Sequence, residues 1–146
     1  MTKVTIDFPN DIPLTPRHSE AAIQAMRVVN AMAQWFGADV QAAVAINTEG
    51  GGNRNVLSFS FTGERATQAA ENVGFFLENN PDIKRAYIKP SAAEKIAGGA
   101  TSVKMNLDTL SQYKPNDFDM AAYDAGHNGS IVSRRVSSEE GRAKGS

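Results

Sequence analysis

Val40-Gln41-Ala42-Ala43-Val44-Ala45-Ile46-Asn47, then Gly50-Gly51-Gly52, then Arg54-Asn55-Val56-Leu57-Ser58-Phe59-Ser60-Phe61 is the stretch that decides the fold. Both flanks alternate. Val40, Ala42, Val44 and Ile46 fall on one parity, and Leu57, Phe59 and Phe61 on one parity of the second run. Side chains of a strand point to opposite faces in turn, so each run is a half-buried strand. Two such runs around a glycine turn predict a β-hairpin, here with a loop longer than the two-residue ideal.

Outward from the hairpin the pattern changes to helical period. Thr15-Pro16 is a helix start, because the hydroxyl can accept from free first-turn amides and proline suits the first helical position. Ala22, Met26, Val29, Ala33 and Phe36 recur at helical spacing, and Gly37 supplies a stop. After the hairpin, Thr62 is expected to cap a second helix with Ala66, Ala69, Val73, Phe76 and Leu77 as its buried stripe. Gly74 inside that helix costs about 1 kcal/mol relative to alanine, and close packing is one reason to keep it. Val4, Ile6 and Phe8 alternate before the first helix and predict a strand ended by Pro9. Ile83 to Lys89 is expected as the fourth strand, with Arg85 and Tyr87 on one face.

The order strand, helix, strand, strand, helix, strand over residues 3–89 predicts an α+β domain with a ferredoxin-like (βαββαβ) antiparallel sheet. Both helices then cover one face. Val44, Ile46, Leu57, Phe59 and Phe61 belong beneath them. The other face is expected to show Ala43, Ala45, Ser58, Ser60, Arg85 and Tyr87, a smooth surface of small residues at its centre. Residues 90–125 form an extension. In it Ser91 and Glu94 make a capping box for a short helix, Val103, Met105 and Leu107 alternate as an edge strand, and Asp117-Phe118-Asp119-Met120 opens a helical turn. Residues 126–146 are glycine, serine and charge, a polar tail that needs a partner to become ordered.

Composition narrows the function classes. The chain has 146 residues, 41% hydrophobic and 21% charged, with 15 basic against 16 acidic side chains and a net charge of −1. These are ordinary globular values, and the totals give no basic excess for a sequence-independent grip on nucleic acid. There is no cysteine, which excludes disulfides, thiolate zinc sites and cysteine nucleophiles. No apolar run approaches the roughly 20 residues that span a bilayer, and the N-terminus lacks the apolar stretch of a signal peptide. A soluble, cytoplasmic chain with no membrane partner is the expectation.

No motif carries recognisable chemistry. The glycine run joins two strands, whereas a phosphate-binding loop leads into a helix. His18 and His127 have no serine or carboxylate at a catalytic spacing in sequence, and a first-turn histidine is ordinarily a surface residue. Asp117, Asp119 and Asp124 lack the spacing of a calcium loop, and helix capping explains the first two. No cofactor and no metal are expected. The leading expectation is therefore a non-enzymatic assembly or interaction subunit. Its partners are copies of itself or other protein subunits, and its contacts are the sheet face, a strand edge and the tail. A virion or similar large particle is one setting for it. The contact residues on this reading are Ser58, Ser60, Arg85 and Tyr87 on the sheet and Arg134 and Arg135 in the tail. The alternative is a single-stranded nucleic-acid-binding module of RNA-recognition-like topology, using Arg54, Lys84, Arg85, Tyr87 and Lys89. Its weakness is the missing stacking platform, since the hairpin aromatics share the inward parity of Leu57. A second alternative is a small enzyme with an intersubunit site around His18 or the aspartates.

Overall fold

The computed structural model describes residues 5–48, 52–98 and 100–113. The hairpin is as the alternation requires. β2 (Asp39–Asn47) and β3 (Arg54–Thr62) pair antiparallel in an unbroken register from Asp39↔Thr62 to Asn47↔Arg54. Phe59 is 0% exposed, and Leu57, Phe61, Val40, Ala42 and Val44 are buried with it. α1 (Pro16–Trp35) starts at an N-cap Thr15 with proline in its first turn and ends before Gly37, whose φ of 70° suits glycine. Its apolar stripe and that of α2 (Ala66–Glu78) join the inward residues of the sheet in one core, so both helices cover the same face.

The sheet order differs from the ferredoxin-like expectation. Five strands run β1-β2-β3-β5-β4, where β1 is Ile6–Asp7, β4 is Tyr87–Ile88 and β5 is Ser102–Asn106. A ferredoxin-like sheet needs its first strand at the centre. Here β1 lies outermost, parallel to β2 through Ile6↔Ala42 and Asp7↔Ala43. The second edge of β3 is taken instead by β5, from Val56↔Asn106 to Ser60↔Ser102. β5 lies inside the sheet and not at the edge that its alternation suggests, because Val103 and Met105 add to the core beside Phe59 and Leu57. The sheet therefore continues past residue 89.

The segment expected as a strand from Ile83 to Lys89 is mostly a 3-10 turn, Lys84–Ala86, followed by the short β4. Ile83 and Ala86 are both fully buried. A 3-10 turn puts residues three apart on one side, which satisfies this pair better than alternation does. The Ala86 amide donates to the Ile83 carbonyl at 3.0 Å. The turn also resets the parity of β4. Tyr87 pairs with Met105, which pairs with Leu57, which pairs with Val44. Tyr87 thus belongs to the helix-covered face, and Ile88 takes the open one.

Three smaller expectations also change. Thr62 ends β3 and does not cap α2, whose N-cap is Arg65 without a side-chain cap bond. Between them Gly63 turns the chain at φ 118°, a conformation that disfavours a side chain. Ile46 has the inward parity but is 40% exposed. It lies past the end of β1, where the sheet's cover runs out. Leu107 leaves the strand to begin α4 (Leu107–Leu110), with Asn106 accepting from the Thr109 amide as its cap. The Ser91–Glu94 capping box of α3 (Ala92–Gly98) forms as expected, through bonds of 2.8 and 3.2 Å. Val4, Gly50, Gly51, Asp117 to Asp124, His127 and the tail with Arg134 and Arg135 lie outside the described residues.

Candidate functional site

The open face of the sheet is set by the register alone. Its rows are Gln41–Ser60–Ser102, Ala43–Ser58–Lys104–Ile88 and Ala45–Val56–Asn106. Ala43, Ala45, Ser60, Ser102 and Lys104 are exposed, Ser58 is half-buried and Val56 is buried. None of these side chains is aromatic. Its β2 and β3 positions at Ala43, Ala45, Ser58 and Ser60 are small and leave the backbone close to whatever lies above them, and Lys104 of β5 stands beside Ser58. Lys104 reaches toward Glu94 of α3 at 4.0 Å. Of the residues singled out in the sequence, Ser58 and Ser60 stand together on this face as expected. Arg85 is exposed in the 3-10 turn, off the sheet, and Tyr87 is turned beneath α2. Both depart from the expected face because strand alternation does not carry through a segment that is not a strand.

Of the basic residues named for a nucleic-acid site, Arg54 has the open-face parity, opposite Asn47, and the others do not join it there. Lys89 is ion-paired with Glu78, and the Lys89 ammonium holds the Glu78 carboxyl below the usual carboxylate range. Lys84 and Arg85 are exposed in the turn, and Arg54 begins β3.

A cleft of about 330 Å³ lies between α2 and the β4–β5 edge, lined in part by Glu71, Gly74, Phe75, Glu78, Tyr87 and Lys95. Burial pushes the Tyr87 hydroxyl above its ordinary value, and the Glu78 carboxylate adds to the rise. The phenol therefore stays protonated at neutral pH.

A third arrangement is invisible in the sequence. His18 Nε2 lies 2.9 Å from Asp108 Oδ1, across 90 residues of chain. Asn55 donates its backbone amide to Asp108 Oδ2 at 3.0 Å and its side-chain amide to Oδ1 at 3.0 Å. Burial alone would push the Asp108 carboxyl up. The two Asn55 bonds and His18 outweigh that and hold it below the usual range. Beside this cluster Arg17 donates twice to the Ser111 carbonyl, at 2.9 and 2.7 Å. The first turn of α1 thus grips both ends of α4.

Hydroxyl, imidazole and carboxylate in a row invite a catalytic reading, because Thr15 Oγ1 is 3.1 Å from His18 Nδ1. The bonding opposes it. His18 Nδ1 already accepts the Thr15 backbone amide at 2.9 Å, and Thr15 Oγ1 accepts the His18 amide at 3.3 Å. This is a capping box closed by histidine, and the lone pair a general base would need is occupied. The sequence shows His18 in a first turn. Only the three-dimensional path of β5 brings Asp108 to it.

Among the described residues, no group of histidine and carboxylate side chains could hold a metal ion, and no helix is long and apolar enough to cross a membrane. No protein-family model matches the sequence, and no curated protein or solved structure is similar to it.

Proposed function

We propose that this chain is a non-enzymatic assembly subunit that packs against protein through the open face of its sheet. One observation carries the reading. The face opposite α1 and α2 meets α3 at its β4–β5 end, where Glu94 approaches Lys104, and its exposed middle on β2 and β3, at Ala43, Ala45 and Ser60, is alanine and serine. A surface this smooth admits another backbone or sheet at close range, as in face-to-face sheet packing. The alternatives find less support. A base-stacking module needs rings on this face, and Tyr87 is turned away from it. An enzyme needs a free acid or base in a cleft, and the His18–Asp108 pair is consumed by capping and strand anchoring.

The test is the solution mass of the full chain, measured by sedimentation beside the Ser58→Arg/Ser60→Arg double variant. The proposal expects the parent to exceed monomer mass with rising concentration and the variant to remain smaller while keeping its circular dichroism. A variant that associates as the parent does would overturn it.

A further inference from the structure

Two locally unfavourable choices meet at one atom, the Tyr87 hydroxyl oxygen. Gly74 lies inside α2, where alanine forms helix better. A β-carbon there would stand 2.7 Å from that oxygen, so the glycine makes room for it. Tyr87 is half-buried, yet among the described residues no group hydrogen-bonds to its hydroxyl. Withdrawing a polar group from water without giving it a partner is unfavourable. Alanine at 74 with phenylalanine at 87 would pack the same contact without either defect. Departures of this kind from local rules concentrate at functional sites. This one has a space to serve, because Gly74 and Tyr87 both line the cleft of about 330 Å³ between α2 and the β4–β5 edge. That volume is at the small end of the roughly 300–1,000 Å³ of ligand pockets.

The walls set the ligand's chemistry. Glu71 and Glu78 come from α2, and Lys95 comes from α3 on the other side of the cleft. Glu78 is engaged by Lys89. Among the described residues Glu71 has no ion pair, and Lys95 acts on Glu78 only at longer range. Ala70, Phe75 and Val103 give the cleft an apolar side. A carboxylate and an ammonium that do not pair with each other thus face one space, together with a hydroxyl donor and apolar surface. We infer that this cleft binds a free α-amino acid with an apolar side chain. The ligand's carboxylate accepts from the Tyr87 hydroxyl and pairs with Lys95, its ammonium pairs with Glu71, and its side chain lies against Phe75 and Val103. Bonds to ionised groups are the stronger class of hydrogen bond. The Lys89 ammonium offsets the Glu78 charge that would otherwise repel the ligand's carboxylate. The site binds, and no reaction is assigned to it. The inference goes beyond the assembly reading and does not depend on it, since it uses neither Ser58 nor Ser60.

The test is calorimetric titration of the full chain with L-leucine, beside isocaproate, which lacks the amine, and isoamylamine, which lacks the carboxylate. L-leucine should bind saturably with Kd of about 1 mM or tighter, and each half-molecule at least about tenfold more weakly. Tyr87→Phe keeps the ring and removes the oxygen, so it should retain the fold by circular dichroism and weaken L-leucine about tenfold. Glu71→Gln should weaken L-leucine and leave isocaproate unchanged, whereas Lys95→Gln should weaken L-leucine and leave isoamylamine unchanged. No saturable binding of L-leucine up to about 10 mM overturns the inference. Isocaproate or isoamylamine binding as tightly as L-leucine overturns the zwitterion. An unchanged affinity in Tyr87→Phe, or in both charge variants, places any binding outside this cleft and overturns it as well.

Discussion

A β-carbon placed on Gly74 would stand 2.7 Å from the Tyr87 hydroxyl oxygen and 3.5 Å from the ring carbon that bears it. The first distance is a clash and the second an ordinary contact, so the conflict belongs to one oxygen atom. Gly74→Ala should gain about 1 kcal/mol of helix propensity and lose about 1–3 kcal/mol to overpacking, for net destabilisation. In a Tyr87→Phe background the same substitution should become neutral or stabilising. Urea unfolding of the four proteins of this cycle measures the coupling, and additive effects would show that Tyr87 does not need the glycine.

The Asp108 carboxylate anchors α1 and β3 to α4, and its acidity fixes the sign of its pH dependence. Its folded pKa lies below the unfolded value. The stabilisation is therefore present above the ordinary carboxylate range and is lost as pH falls through the lowered folded value. Asp108→Asn should cost about 1 kcal/mol at neutral pH, discounted because the side chain is 42% exposed. It should also flatten the acid limb of the stability curve. A variant with an unchanged acid limb would remove Asp108 from this role.

Asn72 is 0% exposed, and its Oδ1 has no hydrogen-bond partner. Its Nδ2 does donate to the Gln68 carbonyl at 2.9 Å. Asn72→Leu gives up that bond, a loss of about 1 kcal/mol. It also removes a buried orphan acceptor that costs about 1–3 kcal/mol. Thermal unfolding should show the variant at least as stable as the parent, and a loss above about 2 kcal/mol would mean that Oδ1 is satisfied in solution.

Neighbouring residues of β3 should respond oppositely to truncation. Phe59→Ala removes a fully buried ring and should cost about 3–5 kcal/mol. Ser60→Ala, exposed next door, should stay within about 0.5 kcal/mol. Equal effects would contradict the assigned parity.

That parity is readable in the sequence because alternation in Val40–Phe61 is a local signal with a strict period. The caps at Thr15 and Ser91 are readable for the same reason, since each completes its bonds within four residues. Sheet order is not. Nothing local says whether β1 or β5 takes the free edge of β3, because that choice is made by Val103 and Met105 filling space beside Phe59 and Leu57. Tyr87 falls on the opposite face from its expected one because a single 3-10 turn shifts the parity of everything after it. The Asp108 anchor joins residues far apart in the chain, and no spacing rule reaches that far.

The absence of cysteine makes the central claim directly measurable, since one introduced thiol reports one position. A Ser60→Cys variant should react rapidly with a thiol reagent in dilute solution. As the chain associates, its labelling rate should fall at the concentration where the mass rises, because the open face becomes covered. A labelling rate that stays constant through association would contradict the account and show that the sheet face remains bare in the assembly.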